Sequence, residues 1–475
     1  MGFSEQKNKI ITGCLLIFIL ITVGITFSPI LNNGFTNWDD STYITKNPDL
    51  KDFSLSGAIH ICASSYIQNY HPLTMLSYLA EYHFFGMEAF GYHMVSLILH
   101  LLNCALVFLM IFLLSKSNIV AFIAAMLFAI HPLQVESVAW IAERKDLLYT
   151  LFSLAGFISY IHYLNKRKVS CYYICLCLFF LSLLSKTMAI TFPLVLFLID
   201  YLFKRKFDKG SFFEKIPFFA LSLIFIFIGS ITFYARQALP VLSLTAILRQ
   251  SVTAAYALMF YLHKILLPVK LSCLYPCPKI EEVLSFRFLF FPLITVVLAA
   301  LVVYSRKYTR KIIFGSLFFL CTIFLVLQIS PFANSVTADR YTYLASVGLF
   351  YLFGEGVRWL YSRIEKKRLF LYVIFAGLIL VLSFLSWQRC GVWKDSFTLW
   401  NDALSKYSNL PVAYYNRGNA YSEQKNYTKA IEDYDRAIEL APDFLFPYFA
   451  KVITYGKKGE YDKAYLIIGN KGVNK

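Results

Sequence analysis

The sequence predicts an all-α protein, a bundle of membrane-crossing helices followed by a small water-soluble helical array. Three observations predict it. Hydrophobic residues make up 58% of the 475 residues and charged residues only 15%, too little charge to cover a soluble domain of this size. Apolar runs close to the ~20 residues that span a bilayer as a helix recur along most of the chain. The basic residues behind the net charge of +17 sit in short clusters between those runs, the pattern of membrane loops, so nucleic-acid binding is rejected as its explanation.

The first run, 10–31, follows Lys7 and Lys9. It is long for a secretory leader and lacks a small-x-small cleavage site, so a retained first helix is expected. Further runs at 92–114, 118–132, 147–165, 170–185, 188–203, 216–235, 287–304, 311–328, 342–358 and 369–387 bring the expected crossings to eleven. The clusters Lys166–Lys168, Lys204–Lys206, Arg306 to Lys311 and Arg363 to Arg368 then share the side of the N-terminus, which makes that side cytoplasmic. The opposite side receives a net-acidic first outer loop, 32–91, and the C-terminal region. Segment 240–268 is apolar enough to cross but carries Arg249, His263 and Lys264, and a crossing there would invert the charge pattern. An interfacial or re-entrant helix is expected instead. Ten cysteines are scattered. Cys171, Cys175 and Cys177 read as packing residues, and Cys273 and Cys277 could bridge if their loop is extracytoplasmic.

Residues 411–444 form one unit of about 34 residues, with Tyr414, Gly418, Tyr421, Ala430, Tyr434, Ala437 and Pro442 at the spacing of a tetratricopeptide repeat. A second unit begins near Leu445, with Tyr448, Tyr455, Gly459 and Ala464 in register, and Trp393–Tyr407 reads as a preceding amphipathic helix. The chain therefore divides into a membrane domain, 1–389, and a repeat domain, 390–475. Such an array either binds a protein or peptide in its groove or caps the membrane domain. Asn426-Tyr427-Thr428 is a glycosylation sequon.

Candidate chemistry gathers on the outer side. Asp39 and Asp40 lie just past the first span, where partial desolvation and mutual repulsion raise a carboxylate's pKa and suit it to act as a base toward a hydroxyl. Solvated loop acids are the plain alternative. The connection from His131 to Asp146 is dense in charge, with Glu136, Glu143, Arg144, Lys145 and Asp146. Arg144 and Lys145 could hold a phosphate, or the four charges of 143–146 could pair locally. Lys186 and the run Asp339-Arg340-Tyr341 face the same side. Arg340 is a second phosphate candidate, unless Asp339 and Arg340 satisfy each other. His71 and His93 could orient an acceptor or simply pack. The sequence contains no Walker loop, dinucleotide fingerprint, HExxH or paired CxxC.

Taken in order, Trp38-Asp39-Asp40, His131-Pro132 with Glu136-Ser137 and Ala139-Trp140, Arg144-Lys145-Asp146, Ser185-Lys186, Ala338-Asp339-Arg340-Tyr341 with Tyr343, and the closing repeats resemble the transmembrane and tetratricopeptide-repeat O-mannosyltransferase family, especially its short bacterial relatives. The resemblance implies a GT-C membrane glycosyltransferase that takes a polyprenyl-phosphate sugar, mannose favoured, and passes it to an acceptor hydroxyl, a protein Ser or Thr, with inversion at the extracytoplasmic face. It implies Asp39 as catalytic base supported by Asp40, with Arg144, Lys145 and Arg340 on the donor phosphate. Glu136, His71 and Lys186 support the site. No cofactor beyond the lipid-linked donor is expected and no metal is assigned. The membrane is the bacterial inner membrane, or the endoplasmic reticulum in a eukaryote. Two other classes compete. A catalytically silent scaffold would use the repeats to bind proteins. A transporter or flippase would place charges in mid-membrane and repeat its spans.

Overall fold

The computed structural model describes residues 3–67, 69–234, 243–276, 283, 285–327, 337–363 and 368–472. Lys366, Lys367 and Cys277, and with Cys277 the expected bridge to Cys273, lie outside these residues. All regular structure described is helical.

The long helix α1 (Phe3–Phe27) leads into loop segments that hold α2 (Leu55–Ala63) and α3 (Pro72–Phe85). Then come α4 (Ala89–Ser115), α5 (Asn118–Ile130), the short α6 (Val135–Ala139), α7 (Arg144–Lys166), α8 (Val169–Ser185) and α9 (Phe192–Leu202). A single turn, α10 (Lys209–Phe213), precedes α11 (Ile216–Tyr234), α12 (Leu244–Leu266), α13 (Phe286–Tyr304), α14 (Arg310–Ile323), α15 (Thr342–Arg363) and α16 (Arg368–Val392). The repeat array is α17 (Ser396–Lys406), α18 (Pro411–Glu423), α19 (Tyr427–Leu440), α20 (Leu445–Lys458) and α21 (Tyr461–Gly472).

Each of the eleven apolar runs forms a helix, but among the described residues only six helical stretches are long and apolar enough to cross a bilayer alone. They are Gln6–Asn32, Ala89–Ser115, Ile141–Lys166, Lys209–Ile231, Phe288–Lys307 and Arg368–Val392. The others are interrupted or too polar. Pro132 cannot continue a helix, so α5 stops at Ile130 and the chain bends by 54° into the 132–139 segment. The turn Thr187–Thr191 separates α8 from α9. The protein is thus a multi-pass helical membrane protein, with several elements too short to span unaided.

Contacts define the two ends of the bundle. At one end Lys215 pairs with Asp200, Arg205 with Glu214 (2.7 Å), and Arg310 donates to the Tyr201 carbonyl (2.9 Å). The basic turns after α7, α9 and α13 lie at this end. From there α11 runs past Phe192, whose ring stacks on Phe218, toward Tyr70 of the first loop, which meets Phe225. The carboxyl end of α12 is likewise at the loop end, where the Ile265 carbonyl lies 3.0 Å from His131 Nε2. Only residues 235–242 separate Tyr234, the end of α11, from Ser243, the N-cap of α12. Fully extended, so short a link reaches ~30 Å at most, about the thickness of the hydrocarbon core. Recrossing would therefore need a bare extended strand through lipid, which leaves its backbone groups unpaired. Both ends of α12 belong to the loop side, and this helix is re-entrant or peripheral.

Close helix approach explains two glycines. A Cβ on Gly348 would collide with the Gly315 carbonyl, so α14 and α15 touch through their backbones, as small residues allow in membranes. A Cβ on Gly418 would stand 2.6 Å from the Tyr434 ring, the contact that closes the α18–α19 hairpin. Arg417 clasps Asp433 across that hairpin (2.7 and 2.8 Å), and Asn426 of the sequon caps α19.

Two outcomes are expected. Reporter fusions after Lys168 and after Lys475 will report opposite sides of the membrane, and the same side for both would overturn the end assignment. Trp400, fully buried between the array and the first loop, will cost ~3–5 kcal/mol when changed to Ala, read as a lower thermal midpoint in detergent. Exposed Phe446→Ala will leave that midpoint unchanged.

Candidate active site

The first loop is fixed by the array. Asn33 Nδ2 donates to the Cys390 carbonyl (2.9 Å) and Gly34 N to the Lys394 carbonyl (2.8 Å). Asn37 receives the Trp400 indole N–H (2.7 Å) and donates to the Asn416 carbonyl (2.7 Å). Trp38 stacks on Trp140 (4.7 Å between centroids), and Trp140 stacks on Trp393 (5.4 Å). This column joins the first loop, the broken segment after α5 and the end of α16.

Asp40 and Asp39 divide their roles by geometry. Asp40 is buried, with Oδ2 accepting from Thr36 N and Oγ1 (2.8 and 2.9 Å) and Oδ1 from Ala142 N (3.0 Å). Burial pushes its pKa up to about 6, against those hydrogen bonds. The carboxyl therefore staples the first loop to the 141–143 turn and has little capacity left for a substrate. Asp39 differs. Among the described residues no hydrogen bond reaches its carboxylate, and the residue lines an open groove. Burial raises its pKa, the nearby Lys145 opposes that, and Glu143 adds to it.

Behind Asp39 lies a buried charge cluster. Glu143 sits 3.1 Å from Lys145, 3.6 Å from Lys186 and 3.3 Å from Arg340. Lys186 also binds Asp146 (2.5 Å), and Arg340 binds Glu136 (2.5 Å). The Arg340 guanidinium lies over the rings of Trp140 and Tyr341 (5.4 and 4.9 Å). The three cations keep 11–15% of their side-chain surface exposed, so each can still reach an incoming anion. His71 is buried beside Tyr43 (5.2 Å) and neither ring nitrogen has a hydrogen-bond partner among the described residues. Burial, with Lys145 nearby, lowers its pKa to about 3, so the ring is neutral, with one nitrogen able to donate and the other to accept. The Trp140 indole N–H is likewise unpartnered among the described residues.

The structure brings Asp39, Glu136, Lys145, Lys186, Arg340 and His71 together. It corrects the expectation for Arg144. That side chain is fully buried, bound to Glu81 and donating to Ser96 Oγ (3.0 and 3.2 Å) and the Tyr92 carbonyl (2.7 Å). It ties α7 to α3 and α4 and has no room for a phosphate. Two pairings also differ from expectation. Asp339 accepts from Tyr275 Oη (2.7 Å) instead of meeting Arg340, and burial raises its pKa to about 6. Glu143 and Asp146 reach beyond their local neighbours, Glu143 to Lys186 and Arg340 and Asp146 to Lys186. Sequence reasoning misses their part in the site because the adjacent Arg144 and Lys145 offer a nearer pairing. His93 packs beside Gly34, with Nε2 3.5 Å from its carbonyl.

In front of Asp39 the groove measures ≈ 830 Å³. One wall is Trp38, Asp39 and Ser41 of the first loop. The other is the concave face of the array, with Tyr415, Asn416 and Asn419 of α18 and Phe446, Phe449 and Ile453 of α20. The last three, at helical i, i+3, i+7 spacing, are more than half exposed.

A tetratricopeptide-repeat model matches residues 411–444. A protein O-mannosyl-transferase of Caenorhabditis elegans is 26% identical over 410 residues, covering 80% of this chain and 56% of its own length. Protein O-mannosyl-transferase Tmtc3 of Drosophila melanogaster is 35% identical over 20% of this chain and 12% of its own. Human TMTC1, named likewise, is 32% identical over 28% and 16%. This chain thus spans little more than half of the nematode relative and far less of the others. Among solved structures, ArnT from Cupriavidus metallidurans bound to undecaprenyl phosphate aligns over 94% of this chain and 78% of its own, at 11% identity and a TM-score of 0.43. Over most of its length this chain is similar to the nematode protein O-mannosyl-transferase, and over shorter stretches to the transmembrane and tetratricopeptide-repeat O-mannosyltransferases of fly and human.

Proposed function

We propose that the chain is a GT-C-type glycosyltransferase that moves a sugar, mannose favoured, from a polyprenyl phosphate to a Ser or Thr hydroxyl of a polypeptide. The observation that carries this reading is the position of Asp39, a carboxylate with no hydrogen bond among the described residues, between a buried cation cluster and a groove shaped by a peptide-binding fold. A phosphate entering from the lipid side meets Lys145, Lys186 and Arg340. An acceptor segment lying in the groove presents its hydroxyl to Asp39. Asp39 takes the hydroxyl proton as the oxygen attacks the anomeric carbon. The bond from that carbon to the phosphate oxygen breaks with its electron pair, and the three cations stabilise the added charge. A single displacement inverts the anomeric centre. The basic turns at the far end of the bundle support an extracytoplasmic location for this chemistry.

The direct test supplies the purified protein in nanodiscs with a panel of polyprenyl-phosphate sugars and Ser/Thr peptides, reading transfer by mass. No transfer from any donor by the wild type would overturn the reading and leave the scaffold. Asp39→Asn keeps size but cannot accept the proton, so single-turnover transfer will fall by ~10²–10⁴-fold while donor binding changes little. Wild-type turnover in that variant would remove Asp39 as the base.

The pH dependence has a defined sign. The base is active when ionised, and burial raises its pKa, so activity will be lost as pH falls through a midpoint above the ordinary Asp value of ~3.9. Lys145→Met removes the charge that holds Asp39 down, moving this acid limb to higher pH and weakening donor binding. Arg144→Ala will act through stability instead. It leaves Glu81 buried without its partner, a loss of ~3–5 kcal/mol read as a lower thermal midpoint.

The tryptophan column also changes what truncation does. An array that served only to bind the acceptor could be removed, as 390–475, without loss of donor chemistry. Because Trp393, Trp400 and Asn416 hold the Asp39 loop, the truncated chain will lose donor hydrolysis and transfer together, and retained hydrolysis would count against this coupling.

A further inference from the structure

At the end of the bundle away from Asp39, a second cleft of ≈ 640 Å³ lies between α9, the turn that follows it, and the junction of α13 with α14. Its lining combines apolar Phe197, Val302, Val303 and Leu317 with basic Lys204, Arg205, Lys206, Arg306 and Arg310, and holds no carboxylate among the described residues. Arg205 is already neutralised by Glu214 (2.7 Å). The other four form no ion pair among the described residues, and all four are exposed.

The local backbone concentrates this charge. Lys204 adopts a left-handed conformation (φ 57°) that ends α9 and folds the basic turn back, with Arg205 N donating to the Asp200 carbonyl (3.0 Å). Arg310 is steered by the Tyr201 carbonyl (2.9 Å) and ring (5.0 Å). Arg310 also opens the 14-residue helix α14, so that helix's positive end adds to the field. Four like charges so gathered repel one another. An anion relieves that repulsion, and the apolar lining beside them favours one that carries hydrocarbon.

We propose that this cleft binds an anionic membrane lipid through its phosphate headgroup. Arg306 and Arg310 take the phosphate oxygens, Lys204 and Lys206 supply point charges, and the chain lies along Val302, Val303 and Leu317. The site is separate from the donor-phosphate cluster and does not depend on the glycosyltransferase reading.

Native mass spectrometry of the full chain in detergent tests it, with added phosphatidylglycerol, polyprenyl phosphate, phosphatidylcholine or inorganic phosphate. The wild type should retain an anionic lipid about 10-fold more than phosphatidylcholine, with the preference falling as salt rises. Arg306→Gln/Arg310→Gln should abolish the preference. Lys307→Gln, a charge change of the same kind just outside the cleft, should keep it. Lys204→Ser/Lys206→Ser changes only exposed side chains, so it keeps the test open if the arginine pair fails to insert, and it should weaken the preference. Polyprenyl phosphate bound at the donor cluster is unaffected by these variants, so only the variant-sensitive fraction counts, and comparing the two anionic lipids names the source. Equal retention of phosphatidylcholine, full displacement by inorganic phosphate at equal concentration, or unchanged retention in both cleft variants would overturn the proposal and leave the basic turns as orientation signals only.

Discussion

The interaction on which the site depends is the set of ion pairs around Glu143. Lys145 comes from the same turn, Lys186 from the end of α8 and Arg340 from the turn before α15, and all three stand within 3.6 Å of its carboxylate. Burying these groups singly would be prohibitive, and burying them together is tolerated only because each is paired. The carboxylate therefore draws three elements to one point that no apolar contact would specify. It also fixes the cations in advance, so the proposed donor phosphate would bind with little reorganisation.

That cluster requires broken helices. An unbroken helix from 118 to 166 would spread Glu136, Glu143 and Asp146 along its length. Pro132 and the turn at 141–143 instead fold the segment back on itself, with Ala142 N freed to bond Asp40 (3.0 Å). Irregular backbone at this depth persists only where protein covers it, and here the cover is the first loop. Asp40 and the Trp38–Trp140–Trp393 column hold that loop down, so the repeat array is a wall of the site as well as an appendage to it.

Much of this was legible in the sequence, for physical reasons. Apolar runs and basic turns give helices and their ends because hydrocarbon and headgroup chemistry act locally. The repeat was readable because Gly418 and Tyr434 must meet for its hairpin to close. The acidic pair was readable, although which carboxyl stayed free depended on Thr36 and Ala142, whose donors are a matter of folding. The sequence misleads at Arg144 because Arg144 and Lys145 are adjacent yet face different neighbours: successive helical residues point about 100° apart. One meets Glu81 and Ser96, the other Glu143. How each crossing is built was not legible either, because apolarity does not show where Pro132 or the 187–191 turn interrupts a helix.

The two ends of the bundle handle positive charge in opposite ways, and the contrast argues for different work. At the Asp39 end each cation is largely enclosed and matched by a carboxylate, so the proposed donor phosphate would compete with Glu136, Glu143 and Asp146 for it. Such binding would be a balanced exchange, suited to a group that must also leave. At the far end Lys204, Lys206, Arg306 and Arg310 are exposed and without ion pairs among the described residues, so the proposed lipid anion would bind without displacing a carboxylate. Such binding is sensitive to salt and suited to a resident ligand. The proposed transfer would need the first arrangement, because cations that held a departing phosphate too tightly would slow its release.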